Sequence, residues 1–322
     1  MVTTTDDGEP LPIDIEPTDV AELEAAVGVL RALDYRQGGG FCRDAVRVVK
    51  TASLLLRWGR VPDALRARLY AVLADVHNLL GWTEFDIGHG EPARRRFGRA
   101  LDLAAEAGND NLVANIRYRL GRLYLHRHDV PGALAEFARG RTAARRSDSR
   151  RATAILVANE AWAFAMGRDE RTALTRLAAA EAAFAEAGSW PRPRPWEAFF
   201  READMAAMRG TVLTELAGAV AIHHSGPAIT QLTDAAARYG ADMARSRSLT
   251  LIMLAQNHAL GGDFDEATRV GVAAIDLAAT VGSVRPKDRL APLERLLLEH
   301  PADPAVGTLL DRIARYRSQP LT

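Results

Sequence analysis

A translational repeat of 40 residues constrains this chain more than any other feature. The segments LLGWTEFDIGHGEPARRRFGRAL, RLGRLYLHRHDVPGALAEFARGR and NEAWAFAMGRDERTALTRLAAAE superpose by shifts of 40 positions, and each reads as helix, turn, helix. A helix pair of that size cannot bury its apolar face alone, so it must stack on copies of itself. Gly81, Gly121 and Ala161 share one small-residue position, and Ala93, Ala133 and Ala173 share another in the second helix. Bulkier side chains there would push two backbones apart. Phe97, Phe137 and Leu177 follow four residues after those alanines, on the same helical face.

Helix-length periodicity runs from Asp19 onward, and alternating strand patterns are nearly absent, so the chain is expected to be all-α. A later unit repeats the spacing with Ala255 and Ala267, and a weaker one around Leu216 and Ala228 precedes it by 39 residues. Tyr239, Met243, Leu251 and Leu254 continue the packed array, and PADPAVGTLLDRIARYRS supplies a terminal helix to shield the last repeat. Three prolines in SWPRPRPW, residues 189–196, predict an extended insertion. Residues 1–18 are acidic and are expected to form a flexible tail, leaving 19–322 as one helical-repeat domain.

Composition narrows the function classes. With 41 basic and 41 acidic residues, a chain built to coat nucleic acid is not expected. Cys42 is the single cysteine, so no internal disulfide can form and a reduced, cytoplasmic setting fits. The acidic opening lacks the apolar core of a signal peptide, and no later apolar run spans a bilayer. Lys50 and Lys287 are the only lysines, and arginine supplies the other 39 basic residues. RQGGGFCRDAV, residues 36–46, reads as a turn entering a helix. Its rival, a phosphate loop, lacks the Gly-Lys-Ser/Thr ending and the preceding strand that such chemistry requires.

The spacing of the small residues, Tyr124, Ala133 and Phe137 resembles that of tetratricopeptide repeats, stretched from about 34 residues. More specifically, DYRQGGGFCRDAV, LADVHNLLGWTEFDIG, LVANIRYRLGRLYLHR, ANEAWAFA, YGADMARSR and SVRPKDRL together resemble the sensor region of actinobacterial helix-turn-helix transcriptional regulators with tetratricopeptide repeats, over roughly Asp34 to Leu296. The resemblance implies a right-handed superhelix of helix pairs that takes up a ligand or partner and forms a homodimer. In that family a DNA-binding domain usually comes first. Only about 30 mostly acidic residues precede Tyr35 here, so the resemblance implies a sensor without its usual reader.

In such a superhelix the first helix of each pair lines the concave side, so Asn78, Trp82 and Phe85 should face the groove. One repeat on, Asn115, Tyr118 and Arg122 occupy a comparable stripe, and a further shift brings Ile155, Ala158 and Trp162 there, with Asn159 beside them. Trp82, Arg122 and Trp162 thus form one structural column. Aromatic faces give contact area at low entropic cost, a guanidinium binds carboxylates bidentately, and the Asn115 and Asn159 carboxamides suit an extended peptide backbone. The same tryptophans could equally be repeat-core residues, the asparagines internal caps between helices.

Between Pro92 and Arg151, 14 arginines face six acidic residues, whereas residues 1–34 hold nine acids and Arg31. The acidic segment could cover the basic one, or both could be ordinary solvated surface. His126, His128 and Asp129, like the adjacent His223 and His224, read as polar helix-end chemistry; no metal, cofactor or catalytic constellation is indicated, and the chain is not expected to be an enzyme. The expected function is a regulatory ligand sensor that binds a peptide, protein tail or small metabolite in its groove. A constitutive assembly scaffold is the alternative, and an enzyme of specialised metabolism is third. Direct DNA binding and membrane association are not expected.

Overall fold

A computed structural model describes residues 13–40, 59–188 and 193–320. After α1 (Pro17–Gln37), the helices come in consecutive pairs: α2 (Asp63–Asp86) with α3 (Gly90–Glu106), α4 (Asp110–His126) with α5 (Val130–Arg146), and α6 (Arg150–Met166) with α7 (Glu170–Ala187). Then follow α8 (Glu202–Ala219) with α9 (Ser225–Arg238), α10 (Ala244–Leu260) with α11 (Phe264–Ala278), and α12 (Arg285–Leu297) with α13 (Pro304–Ser318). The fold is a tetratricopeptide-like superhelix, as the repeat predicts. The terminal α13 packs against α11, and α12 against α10. Among the described residues no helix is long and apolar enough to cross a membrane.

The 40-residue repeat is two beats of 20. Helices α3 to α6 are each 17 residues long, with three-residue turns between them. Each of these turns, and the one that follows α6, places one residue in the left-handed region: Gly108 (φ 62°), His128 (58°), Asp148 (48°) and Arg168 (61°). The next residue caps the following helix. The side chains of Asn109, Asp129, Ser149 and Asp169 accept N–H bonds of 3.0, 2.9, 3.0 and 3.1 Å from the backbone three positions on. Such caps satisfy amides that the helix cannot. His128 and Asp129 are therefore turn and cap.

Within a pair the packing rule is a ring laid on a glycine. A Cβ at Gly81 would sit 2.7 Å from the Phe97 ring, and one at Gly121 would collide with Phe137 more severely. Both phenylalanines are fully buried. In the third pair the smaller Leu177 leaves room for Ala161. The weaker fourth unit departs from the expected spacing: its close approach falls between Gly210 and Leu232, with a short 3-10 turn, Ile222–His224, between the helices. There His224 Nε2 lies 3.0 Å from Glu170 Oε1, which ties the turn to α7.

One expectation about an irregular segment needs correction. Residues 13–18 are fixed, unlike the flexible tail predicted for them: Ile13–Asp14 (β1) pairs in parallel with Gly59–Arg60 (β2), Ile15 is buried, and α1 begins at Pro17. Of the acidic N-terminal segment, residues 1–12 lie outside the described residues. Several arginines between Pro92 and Arg151 pair with acids on neighbouring helices, including Arg127 with Glu91 and Arg146 with Asp110, each 36 residues apart. The same interval recurs in Arg238 with Glu202 and Arg312 with Asp276. Phe41, Cys42 and Val46 lie outside the described residues.

The superhelix closes on itself. Asp34 and Asp86, in the last turns of α1 and α2, are fully buried and meet Arg245 and Arg285, in the first turns of α10 and α12. Arg245 grips Asp34 bidentately at 3.0 and 3.1 Å and reaches Asp86 Oδ2 at 2.8 Å. Gly39 N and Ser283 Oγ donate to the two Asp86 oxygens at 2.8 and 2.9 Å. The triglycine is thus no phosphate loop: its amide already holds an internal carboxylate, and a Cβ at Gly39 would strike the Thr83 carbonyl. Backbone bonds complete the seam, from Gly282 N to Gln37 O and from Val284 N to Asp86 O. Carboxyl ends of two helices here face amino ends of two others, so each arginine sits at the favourable pole of its neighbour's dipole.

Two outcomes are expected. Gly121→Ala should destabilise the chain by about 1–3 kcal/mol through overpacking, and adding Phe137→Leu should recover part of that loss in urea titrations; additive losses would refute the ring-on-glycine rule. Arg245→Met should cost about 3–5 kcal/mol by stranding buried carboxylates, with a larger radius of gyration in X-ray scattering if the seam holds the ring closed.

Candidate functional site

Closure turns the concave face into a cavity of about 1120 Å³. Its wall comes from the first helix of every pair, with Tyr35 from α1 and Phe199 and Phe200 from the segment before α8. Trp82, Phe85, Tyr118, Arg122, Asn159 and Trp162 all border it. Trp82 and Trp162 are each only 6% exposed, so they are both packed into the repeat and open to the cavity on one face.

Asn78 and Asn115 do not reach the cavity as expected. Asn78 is completely buried and donates to Asn115 Oδ1 at 3.0 Å, and Asn115 Nδ2 donates to the Trp196 carbonyl at 2.9 Å. Trp196 Nε1 bonds Asn111, whose own amide reaches Glu197, and Ser149 Oγ donates to Glu197 Oε1 at 2.7 Å. The carboxamide does bond a backbone carbonyl, but that carbonyl belongs to the chain's own Trp196, which lies in a hydrogen-bonded turn over residues 195–199 and not in the extended stretch expected of the proline-rich segment. The same turn carries Phe199, which stacks on Tyr118 at 5.9 Å.

Two tryptophans organise the charged part of the wall. Arg119, Arg285 and Arg245 lie over the Trp82 ring at 5.1, 5.1 and 6.0 Å. Arg122 and Arg289 lie over Trp162 at 4.5 and 5.0 Å. Cation–π attraction strengthens as such groups lose water. Glu215 Oε1 bridges the two halves of the second cluster, accepting from Trp162 Nε1 and from Arg289, both at 3.1 Å. Asn159 donates to the Ile155 carbonyl of its own helix at 2.7 Å, which turns its oxygen towards Arg122, 3.4 Å away.

Burial, and after it the neighbouring charges, shifts these groups. Burial, then the Arg122 charge, pushes Arg285 down to about 9. Burial likewise lowers Arg119 and Arg122, with Arg31 and Arg289 adding repulsion. Burial alone would raise the Asp86 carboxyl, but Arg245 and Arg285 hold it below its ordinary range. Sequence reasoning did not reach Arg119, Arg245, Arg285, Arg289, Glu215 or Phe199. Their one visible signal was indirect, since Arg245, Arg285 and Arg289 fall within YGADMARSR and SVRPKDRL.

No protein-family model matches this chain, and no curated protein matches it. Among solved structures it is similar to a Rap protein complexed with Competence and Sporulation Factor, with a TM-score of 0.56 and 11% sequence identity, over 93% of this chain and 86% of that one. At that identity the likeness concerns the fold.

Opposite the arginines, Asp204 is buried, accepts from Tyr239 Oη at 3.0 Å and from Arg201 N at 3.1 Å, and is raised by burial from 3.8 to about 6. A carboxyl raised on folding contributes stability at low pH that is lost as pH rises through the folded value. Asp204→Asn should therefore flatten the decline in stability between about pH 4 and 7, a difference on the order of 2–3 kcal/mol. Parallel urea curves for both proteins across that range would contradict the assignment.

Proposed function

We propose that the chain is a regulatory binding module whose closed superhelix recognises a peptide, a protein tail or a small metabolite within the central cavity. The observation that carries this reading is the convergence of the first helices of all six pairs on one concave aromatic and arginine-rich space. Cavities of this kind, largely preformed and lined by apolar faces with a few placed polar groups, suit ligand capture. The fold likeness to a protein held with Competence and Sporulation Factor supports a bound factor as the thing recognised.

Regulation would follow from where the ring-closing charges lie. Arg245 and Arg285 belong to the seam and also border the cavity. A ligand that engages them binds the closed and open forms with different affinity, and linkage then converts occupancy into a change of shape. The resemblance to the sensor region of helix-turn-helix regulators extends this to transcription regulation exerted through a partner or a homodimer. Binding rather than bond making is the work assigned.

The test uses protein exposed to extract of its own host and examined by native mass spectrometry. Wild-type chain should retain a ligand, and Trp82→Ala with Arg122→Ala should weaken retention by about tenfold or more, the equivalent of about 1.4 kcal/mol. Circular dichroism must remain unchanged for the comparison to count. Equal retention by a folded double variant would remove the column from the site.

A further inference from the structure

We propose that the cavity floor between Trp82 and Trp162 is a subsite for an oxyanion, a carboxylate or phosphate carried by an aromatic or aliphatic ligand. The inference rests on the cavity-binding reading above and names the chemistry of what binds. Six guanidiniums gather on this side of the molecule: Arg31, Arg119, Arg122, Arg245, Arg285 and Arg289. Four carboxylates answer them, in the pairs Arg31 with Asp75, Arg245 with Asp34 and Asp86, Arg285 with Asp86, and Arg289 with Glu215. Among the described residues, Arg119 and Arg122 have no carboxylate partner. Arg119 donates to the Asn78 carbonyl at 2.8 Å, and Arg122 meets neutral partners, the Tyr118 hydroxyl, the Trp162 face and the Asn159 oxygen at a long 3.4 Å.

Other acids of the cavity are engaged elsewhere. Asp288 is an exposed residue beside His126 at 3.2 Å, Glu294 pairs with Arg317, and Asp204 is bound by Tyr239. Glu299 is exposed at the edge. The positive excess is thus concentrated where water is scarce. Uncompensated charge in such a place is costly, and an incoming oxyanion would relieve it while gaining charge-assisted, bidentate hydrogen bonds. Arg122 and Arg289, both over Trp162, and Arg285, over Trp82, offer fork-shaped donors beside the two indole faces. An anion seated among them would have an aromatic surface on either side for the rest of the ligand.

Titration calorimetry on the full chain with phenylacetate, phenyl phosphate and the neutral phenylacetamide tests the charge requirement. The peptides Ala-Ala-Ala-Phe with a free and with an amidated carboxyl end distinguish a peptide terminus from a free small acid. At least one anionic probe should bind ten times more tightly than its neutral counterpart. Arg122→Gln should abolish that preference, whereas Arg122→Lys should keep part of it. Equal binding of charged and neutral probes, unchanged in Arg122→Gln, would overturn the oxyanion subsite and leave the cavity-binding reading standing. Absence of binding by every probe, with retention of a neutral ligand from extract, would overturn the subsite alone; absence of both would overturn the two readings together.

Discussion

Asp86 is the hinge of the whole arrangement. It ends one of the first helices, it is completely buried, and it receives hydrogen bonds from Gly39, Ser283 and Arg245 as well as the charge of Arg285. A carboxylate at the carboxyl end of its own helix is unfavourably placed. Burying it is tolerable only because cations from the far end of the chain surround it. The pairs Asp86–Arg245 and Asp34–Arg245 join residues 159 and 211 positions apart. Without that seam, stacked helix pairs make an open spiral with a groove; with it they make a ring with an interior.

The interior inherits the electrostatics of the seam. Arg245 and Arg285 close the ring and also stand over Trp82, so the groups that hold the two ends together are those a ligand would meet. Tryptophan is suited to this position, since it packs against its own repeat while its face remains a partner for guanidinium. The proline-rich insertion takes up the remaining amide chemistry of the inner surface through Asn111 and Asn115. What is left unneutralised is arginine, which is why anion recognition follows from the architecture rather than from a motif.

Much of this could be read from residue order. The helix pairs, their 40-residue spacing, the Gly81 and Gly121 positions beneath Phe97 and Phe137, and six cavity residues all follow from periodicity. Other features were hidden for identifiable reasons. Asn78 and Asn115 share the face of their neighbours, but Asn78 is taken up by Asn115, and the Trp196 carbonyl that takes up Asn115 lies 81 residues beyond it, a pairing that local spacing does not reveal. Residues 13–18 looked like tail because acidity was visible and the pairing of Ile13–Asp14 with Gly59–Arg60 was not.

Order of residues alone therefore settles everything that repeats: helix length, turn chemistry, the small-on-large contact within each pair, and the direction in which successive first helices face. Those are interactions between groups a few residues or one unit apart, and a 40-residue shift displays them. Folding in three dimensions settles what occurs once. Closing the ring, enclosing the cavity and leaving Arg119 and Arg122 without a carboxylate depend on charges brought together across more than half the chain. Their pairing carries no periodic signature, because a buried ion cluster is selected by the cost of isolating charge from water rather than by any rhythm along the backbone.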